Sequence, residues 1–208
     1  MPRKIDLKKL STTAKRDVNL ALSQYQRVCD KSKDYLIARW VAQMTAVEIH
    51  AIWECYTEKR LITALNHKPN YFIAENGIKG VSVVSSGLAA YIIRGGRRFF
   101  DFRSISELVL MANRLLGKAN NPFNALSKQE REYIDCLAAI RNMVVHRSSA
   151  ATIAYKNQLK KVYRILYAPK PEEFLNAIDF RSNSPDRGKQ RIHGIAQVVI
   201  QAIMDSSK

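Results

Sequence analysis

Apolar residues recur along most of this chain at intervals of three and four, the period of amphipathic helices rather than of strands. Residues 12–30 set Val18, Leu20, Leu22, Tyr25 and Val28 among Lys, Arg and Gln, which predicts a helix after a loose polar start from Lys4 to Lys15. Residues 33–66 run without a Gly or Pro and form the longest helical signal. Its main stripe is Ile37, Val41, Met44, Thr45, Ile52 and Cys55, with Glu48 at the centre. From Pro69 to Arg103 the periodicity is lost and Gly77, Gly80, Gly87, Gly95 and Gly96 punctuate the chain. Residues 85–102 fit either a short helix capped by Gly95 or a hairpin across Gly95-Gly96. Leu88-Ala89-Ala90 favours the helix.

The second half is again helical. Ser104-x-x-Glu107 predicts a helix start, with an end at Gly117, and Ser127-x-x-Glu130 predicts a second start after the break at Asn120-Asn121-Pro122. That second helix carries through Asp135 to His146. Residues 150–167 predict another helix with Lys156, Lys160 and Arg164 on its outer face. Pro171-Glu172-Glu173 has the proline and acids of a further helix start, 181–189 is a polar loop, and Ile192 to Met204 is a last amphipathic helix. The pattern predicts an all-α fold, one domain over residues 1–208, with an irregular insertion around 69–103.

One helix end departs from a packing pattern. At about 100° per residue, Ile134, Leu137, Arg141, Val144 and Val145 share a stripe, so a guanidinium takes the place of a leucine. Asn142 and His146 lie one turn apart on an adjoining face with Asp135. Glu48 and Arg141 are thus opposite charges in the apolar seams of the two strongest helices. A lone buried charge costs several kcal/mol and a paired one much less, so the two are expected to face each other.

Charge adds a partner class. The chain has 34 Lys and Arg against 18 Asp and Glu, a net charge of +16, and such a balance points to a polyanion. Arg94, Arg97, Arg98 and Arg103 alternate with Phe99, Phe100 and Phe102 around flexible backbone, as in a loop that meets phosphates and stacks bases. The same phenylalanines could instead pin the loop to the core. With Arg147, Lys156, Lys160 and Arg164 these arginines are the candidate RNA contacts, although the lysine stripe is also what a solvated face looks like. Cys29, Cys55 and Cys136 have no paired spacing and read as reduced, mostly core residues. His50 and Glu54 are too few for a metal site and read as surface or interface residues. No metal or other cofactor is called for. No apolar run suits a signal peptide or a membrane span, so a cytoplasmic protein without a membrane partner is expected.

Arg141-Asn142-x-x-x-His146 late in a strong helix of an all-helical chain resembles the HEPN family, whose ribonuclease members carry an Arg followed after four to six residues by a His. The resemblance implies a HEPN-like helical bundle and a metal-independent endoribonuclease that uses the substrate's own 2′-hydroxyl. It assigns proton transfer to His146 and the phosphate, or the organisation of the site, to Arg141, with Asn142 orienting the imidazole or the substrate. His suits proton transfer near neutral pH, and the permanently charged Arg fork suits phosphate oxygens. The resemblance also implies a homodimer, a toxin of a toxin–antitoxin or phage-defence system, and an antitoxin protein as partner. The alternative is a non-catalytic helical module that binds RNA or a partner protein. No Ser-His-Asp motif, phosphate-cradling glycine loop or cysteine-rich metal set competes with these readings.

Overall fold

The computed structural model describes residues 6–32 and 34–207, and among them the chain is helical with a single isolated antiparallel bridge, Ile178 to Gln190. The helices are α1 (Leu7–Lys31), α2 (Tyr35–His67), α3 (Asn70–Glu75), α4 (Ser86–Arg94), α5 (Ile105–Leu116), α6 (Lys128–His146), α7 (Ser149–Gln158), α8 (Pro171–Asn176) and α9 (Arg191–Asp205). The all-α expectation holds. No hairpin forms at 85–102: Ser85 Oγ accepts from Leu88 N–H and Gly95 closes α4 at φ 59°, a left-handed cap that glycine adopts without a Cβ penalty. The loose start is corrected. Part of it lies outside the described residues, but from Leu7 the chain is helical, because Asp6 Oδ1 accepts from the Lys8 and Lys9 amides.

Internal contacts gather into two compact units, each assembled from segments distant in sequence, where the sequence suggested one domain over 1–208. The first comprises Met1–Ala14, Trp53–Leu126 and Ile203–Lys208. Its core is Trp53, Tyr56, Leu61, Leu65, Ile105, Leu108, Leu116 and Phe123. Trp53 meets Phe123 edge-on at 6.3 Å, and Tyr56 donates to the Ile203 carbonyl at 3.0 Å. Arg60 Nε donates to the Ser206 carbonyl at 2.7 Å, so a cation sits just beyond the end of α9 where the helix dipole favours it. Gly117 ends α5 at φ 72°, and a Cβ there would stand 2.8 Å from Tyr71 Cδ2, so a larger residue would be strained in its backbone and would have to displace the Tyr71 ring.

The second unit comprises Lys15–Ile52 and Ser127–Ala202. Its core includes Val18, Tyr25, Ile49, Ile134, Leu137, Ile140, Leu159, Phe174 and Ile195. Arg39 donates to Glu172 Oε1 at 2.8 Å and Glu173 Oε1 at 2.7 Å, tying α2 to the start of α8. The polar 181–189 loop anchors itself through Arg181. Its guanidinium donates to both oxygens of Asp179, to Tyr133 Oη at 2.8 Å and to the Val162 carbonyl, and it lies 3.9 Å from the centre of the Tyr163 ring. Burial alone would raise the Asp179 carboxyl, but the hydrogen bonds from Arg181 outweigh it and hold the pKa at about 2.

The buried face of α2 differs from the stripe read in the sequence. Ala42, Thr45, Ala46 and Ile49 are buried in this unit, whereas Ile37, Met44 and Glu48 are exposed. Apolar residues lie around most of α2, so its periodicity alone does not choose a phase. Glu48 instead lines an open groove between α1 and α2 with Asp17, Leu20, Trp40 and Met44. Of the cysteines only Cys136 is in the core; Cys29 is half-buried and Cys55 exposed. His50, read as a surface or interface residue, is buried within the chain.

Candidate functional site

The motif helix begins with a complete capping box. Ser127 Oγ accepts from Glu130 N–H at 3.2 Å and Glu130 Oε2 accepts from Ser127 N–H at 2.7 Å, which sets the register of every later residue on α6. Tyr133, Ile134, Cys136, Leu137 and Ile140 bury the inner face. Beyond Ile140 the helix rises out of the core, and Asn142, Val145 and His146 are exposed while Arg141 is half-buried.

His146 is the last helical residue. Arg147 follows in the left-handed region at φ 49°, and Ser148 already caps α7 by accepting from Ala151 N–H at 3.2 Å. A two-residue turn therefore folds α7 back along α6. Thr152 Oγ1 comes to 3.4 Å from Met143 Sδ, so α7 covers the Met143 side and leaves the Asn142–His146 side open. A non-glycine residue held left-handed costs on the order of 1 kcal/mol, and this one sits directly beside the motif.

Arg141, Asn142 and His146 are brought together. Arg141 Nη1 donates to Asn142 Oδ1 at 2.9 Å and lies 3.4 Å from His146 Nε2. Five residues apart on a helix, Arg141 and His146 point about 140° apart around the axis; the length of the arginine side chain closes the gap. A guanidinium only donates, so a hydrogen bond at this approach requires the His146 nitrogen facing it to present its lone pair, with the proton of the neutral ring on Nδ1. Once Arg141 turns away from Nε2, the exposed imidazole can accept a proton there with a permanent cation close by.

Glu48 is not part of it. Both its exposure and the Arg141 contacts overturn the expected Glu48–Arg141 ion pair, because the premise that Glu48 is stranded in an apolar seam fails. One largely buried ion pair of this unit is Asp179–Arg181, with Asp179 Oδ2 2.6 Å from Arg181 Nη2. Two residues apart in a segment rich in Ser, Asp and Gly, that pair gave no periodic signal; the only sequence hint was an Arg and Asp flanking Phe180.

The candidate RNA contacts divide between the units. Arg147, Lys156, Lys160 and Arg164 are exposed in the unit that holds the motif, the last after a π-helical turn Leu159–Tyr163. Arg94, Arg97, Arg98 and Arg103 belong to the other unit. Arg94 is engaged by Glu58, whereas Arg97, Arg98 and Arg103 are exposed. Phe100 and Phe102 are half-buried with their rings tilted against each other at 5.4 Å, while Phe99 is 70% exposed with the Arg98 guanidinium 5.3 Å from its ring centre.

No protein family, curated protein or solved structure matches the chain. Among the described residues no helix is long and apolar enough to cross a membrane.

Proposed function

We propose that this protein is a metal-independent endoribonuclease of HEPN type, with His146 as proton acceptor and donor, Arg141 on the phosphate or organising the site, and Asn142 holding Arg141. The observation that carries the reading is the approach of Arg141 Nη1 to His146 Nε2 on an exposed helix end. RNA supplies its own nucleophile, so the protein must move protons and balance the charge that builds on phosphorus. An imidazole with its lone pair held toward a guanidinium has both parts at one place. The net charge of +16 and the exposed Arg and Lys near the motif suit a polyanionic substrate.

On this reading the active form is a homodimer, since one imidazole cannot serve as base and acid at once and a two-fold axis pairs identical residues. The role is that of a toxin or phage-defence effector in the cytoplasm, restrained by an antitoxin protein. The deciding experiment incubates single-stranded RNA with the protein in excess EDTA, beside the His146→Ala variant. Cleavage leaving a 2′,3′-cyclic phosphate or 3′-phosphate is the expected result, with no cutting of RNA that is 2′-O-methylated at the scissile position. Cleavage that EDTA abolishes and that leaves a 3′-hydroxyl overturns the mechanism. RNA that is bound and never cut favours the non-catalytic binding module.

A further inference from the structure

The first unit contains a cavity of about 470 Å³ between the end of α4, the 95–103 segment and the outer side of α5. Its lining combines three chemistries. Phe99 and Phe102 offer aromatic surface, with Met111 and the buried Ile93 behind them. Arg97 and Arg114 bring cations to the same cavity. Asp101 and Glu107 bring carboxylates to it. All four charged groups are exposed, and Arg94 at the edge of the cavity pairs with Glu58. Among the described residues, however, Arg97, Arg114 and Asp101 make no ion pair and no side-chain hydrogen bond with the protein. Glu107 spends Oε2 on the Arg103 amide, at 2.7 Å.

We propose that this cavity binds one guanine nucleotide, its base against the Phe99–Phe102 surface, its phosphate at Arg97 and Arg114, and its Watson–Crick edge on the Asp101 carboxylate. The volume is of the size that takes a small ligand. Flat aromatic faces with a guanidinium stacked on one of them, as Arg98 is on Phe99, are how proteins hold an unpaired base. The choice of base follows from the carboxylate. An ionised carboxylate only accepts hydrogen bonds. Guanine alone among the four bases places two donors, N1–H and the 2-amino group, side by side, so both oxygens of one carboxylate are matched. Uracil flanks its single N–H with two carbonyls, and adenine and cytosine set an acceptor nitrogen beside the amino group; each would turn a lone pair toward Asp101. Asp101 is the reader rather than Glu107 because Glu107 already holds the backbone of Arg103.

The proposal builds on the reading of 94–103 as an RNA contact, and it does not depend on cleavage. The ligand is either a free guanine nucleotide or a guanosine within single-stranded RNA. Binding is measured by calorimetry on the His146→Ala chain, so nothing is cut, with GMP, IMP, AMP, CMP, UMP and a short oligoadenylate containing one G. GMP is expected to bind about tenfold or more tighter than IMP, which lacks the 2-amino group, and than the other three. Asp101→Asn should abolish that preference, and Arg97→Ala should weaken all nucleotides while keeping their order. Retained far-UV circular dichroism checks that both variants fold. GMP binding by itself identifies a free nucleotide, and preference for the G-containing oligomer identifies RNA. Equal or undetectable affinity for all the probes, or a guanine preference that survives Asp101→Asn, overturns the proposal. Cleavage by the unmutated chain, scored separately, decides the ribonuclease reading in either case.

Discussion

Arg141 Nη1 lies 3.4 Å from His146 Nε2 and 2.9 Å from Asn142 Oδ1. A hydrogen bond between them requires the Nδ1–H tautomer of the imidazole, because an arginine cannot accept one. Neutral His146 should therefore carry its proton on Nδ1, and Arg141→Ala should release it toward the Nε2–H form. Long-range nitrogen–proton correlation spectra of the histidine ring report the tautomer directly. A dominant Nε2–H form in the unmutated protein would show that the contact does not persist in solution.

His146→Ala should lower RNA cleavage by about 10²–10⁴, the usual contribution of one positioned acid–base group. Its exposure means that stability should stay within about 0.5 kcal/mol of the parent. Denaturant unfolding alongside the rate assay separates the two effects. A variant that cleaves at the parental rate would remove His146 from the mechanism.

Glu48→Gln should be nearly silent, within about 0.5 kcal/mol, because Glu48 is exposed. Arg181→Ala should cost about 3–5 kcal/mol, since it leaves the Asp179 carboxylate buried without its partner. The same pair sets an acid limit. Asp179 has a folded-state pKa near 2, below the usual aspartate value of about 3.9, so its contribution is complete above pH about 4 and is lost as pH falls toward 2. Unfolding midpoints measured between pH 5 and pH 2 should drop less steeply for Asp179→Asn than for the parent.

Arg147→Gly should raise stability by up to about 1 kcal/mol, because glycine adopts the left-handed conformation at φ 49° without strain. If Arg147 contacts RNA, the same variant binds more weakly while unfolding at higher denaturant. A gain in stability with unchanged affinity would limit Arg147 to closing the helix.

RNA affinity should fall steeply with salt, with each neutralised phosphate of a single strand contributing about −0.7 to the slope of log K against log salt. Replacing Arg97 and Arg98 together should flatten that slope, since both are exposed. Filter binding across a salt series measures it, and a slope near zero would assign the charge of the chain to something other than RNA.

Helix starts and stops were legible in the sequence wherever a side chain answers its own backbone. Ser127 and Glu130, Ser104, and Gly95 act within a few residues of where they stand, so their chemistry needs no tertiary partner. The clustering of Asn142 and His146 was legible for the same reason, as one helical turn separates them. Which side of α2 is buried was not, because apolar side chains surround that helix and only the neighbours packed against it choose between them. That choice exposed Glu48 and undid its expected pairing with Arg141. An ion pair that the fold does bury, Asp179–Arg181, joins a loop to Tyr133 and Tyr163 on other elements. The two residues are neighbours in sequence, but their burial depends on chain segments brought together only by folding, and the local order of residues does not encode it.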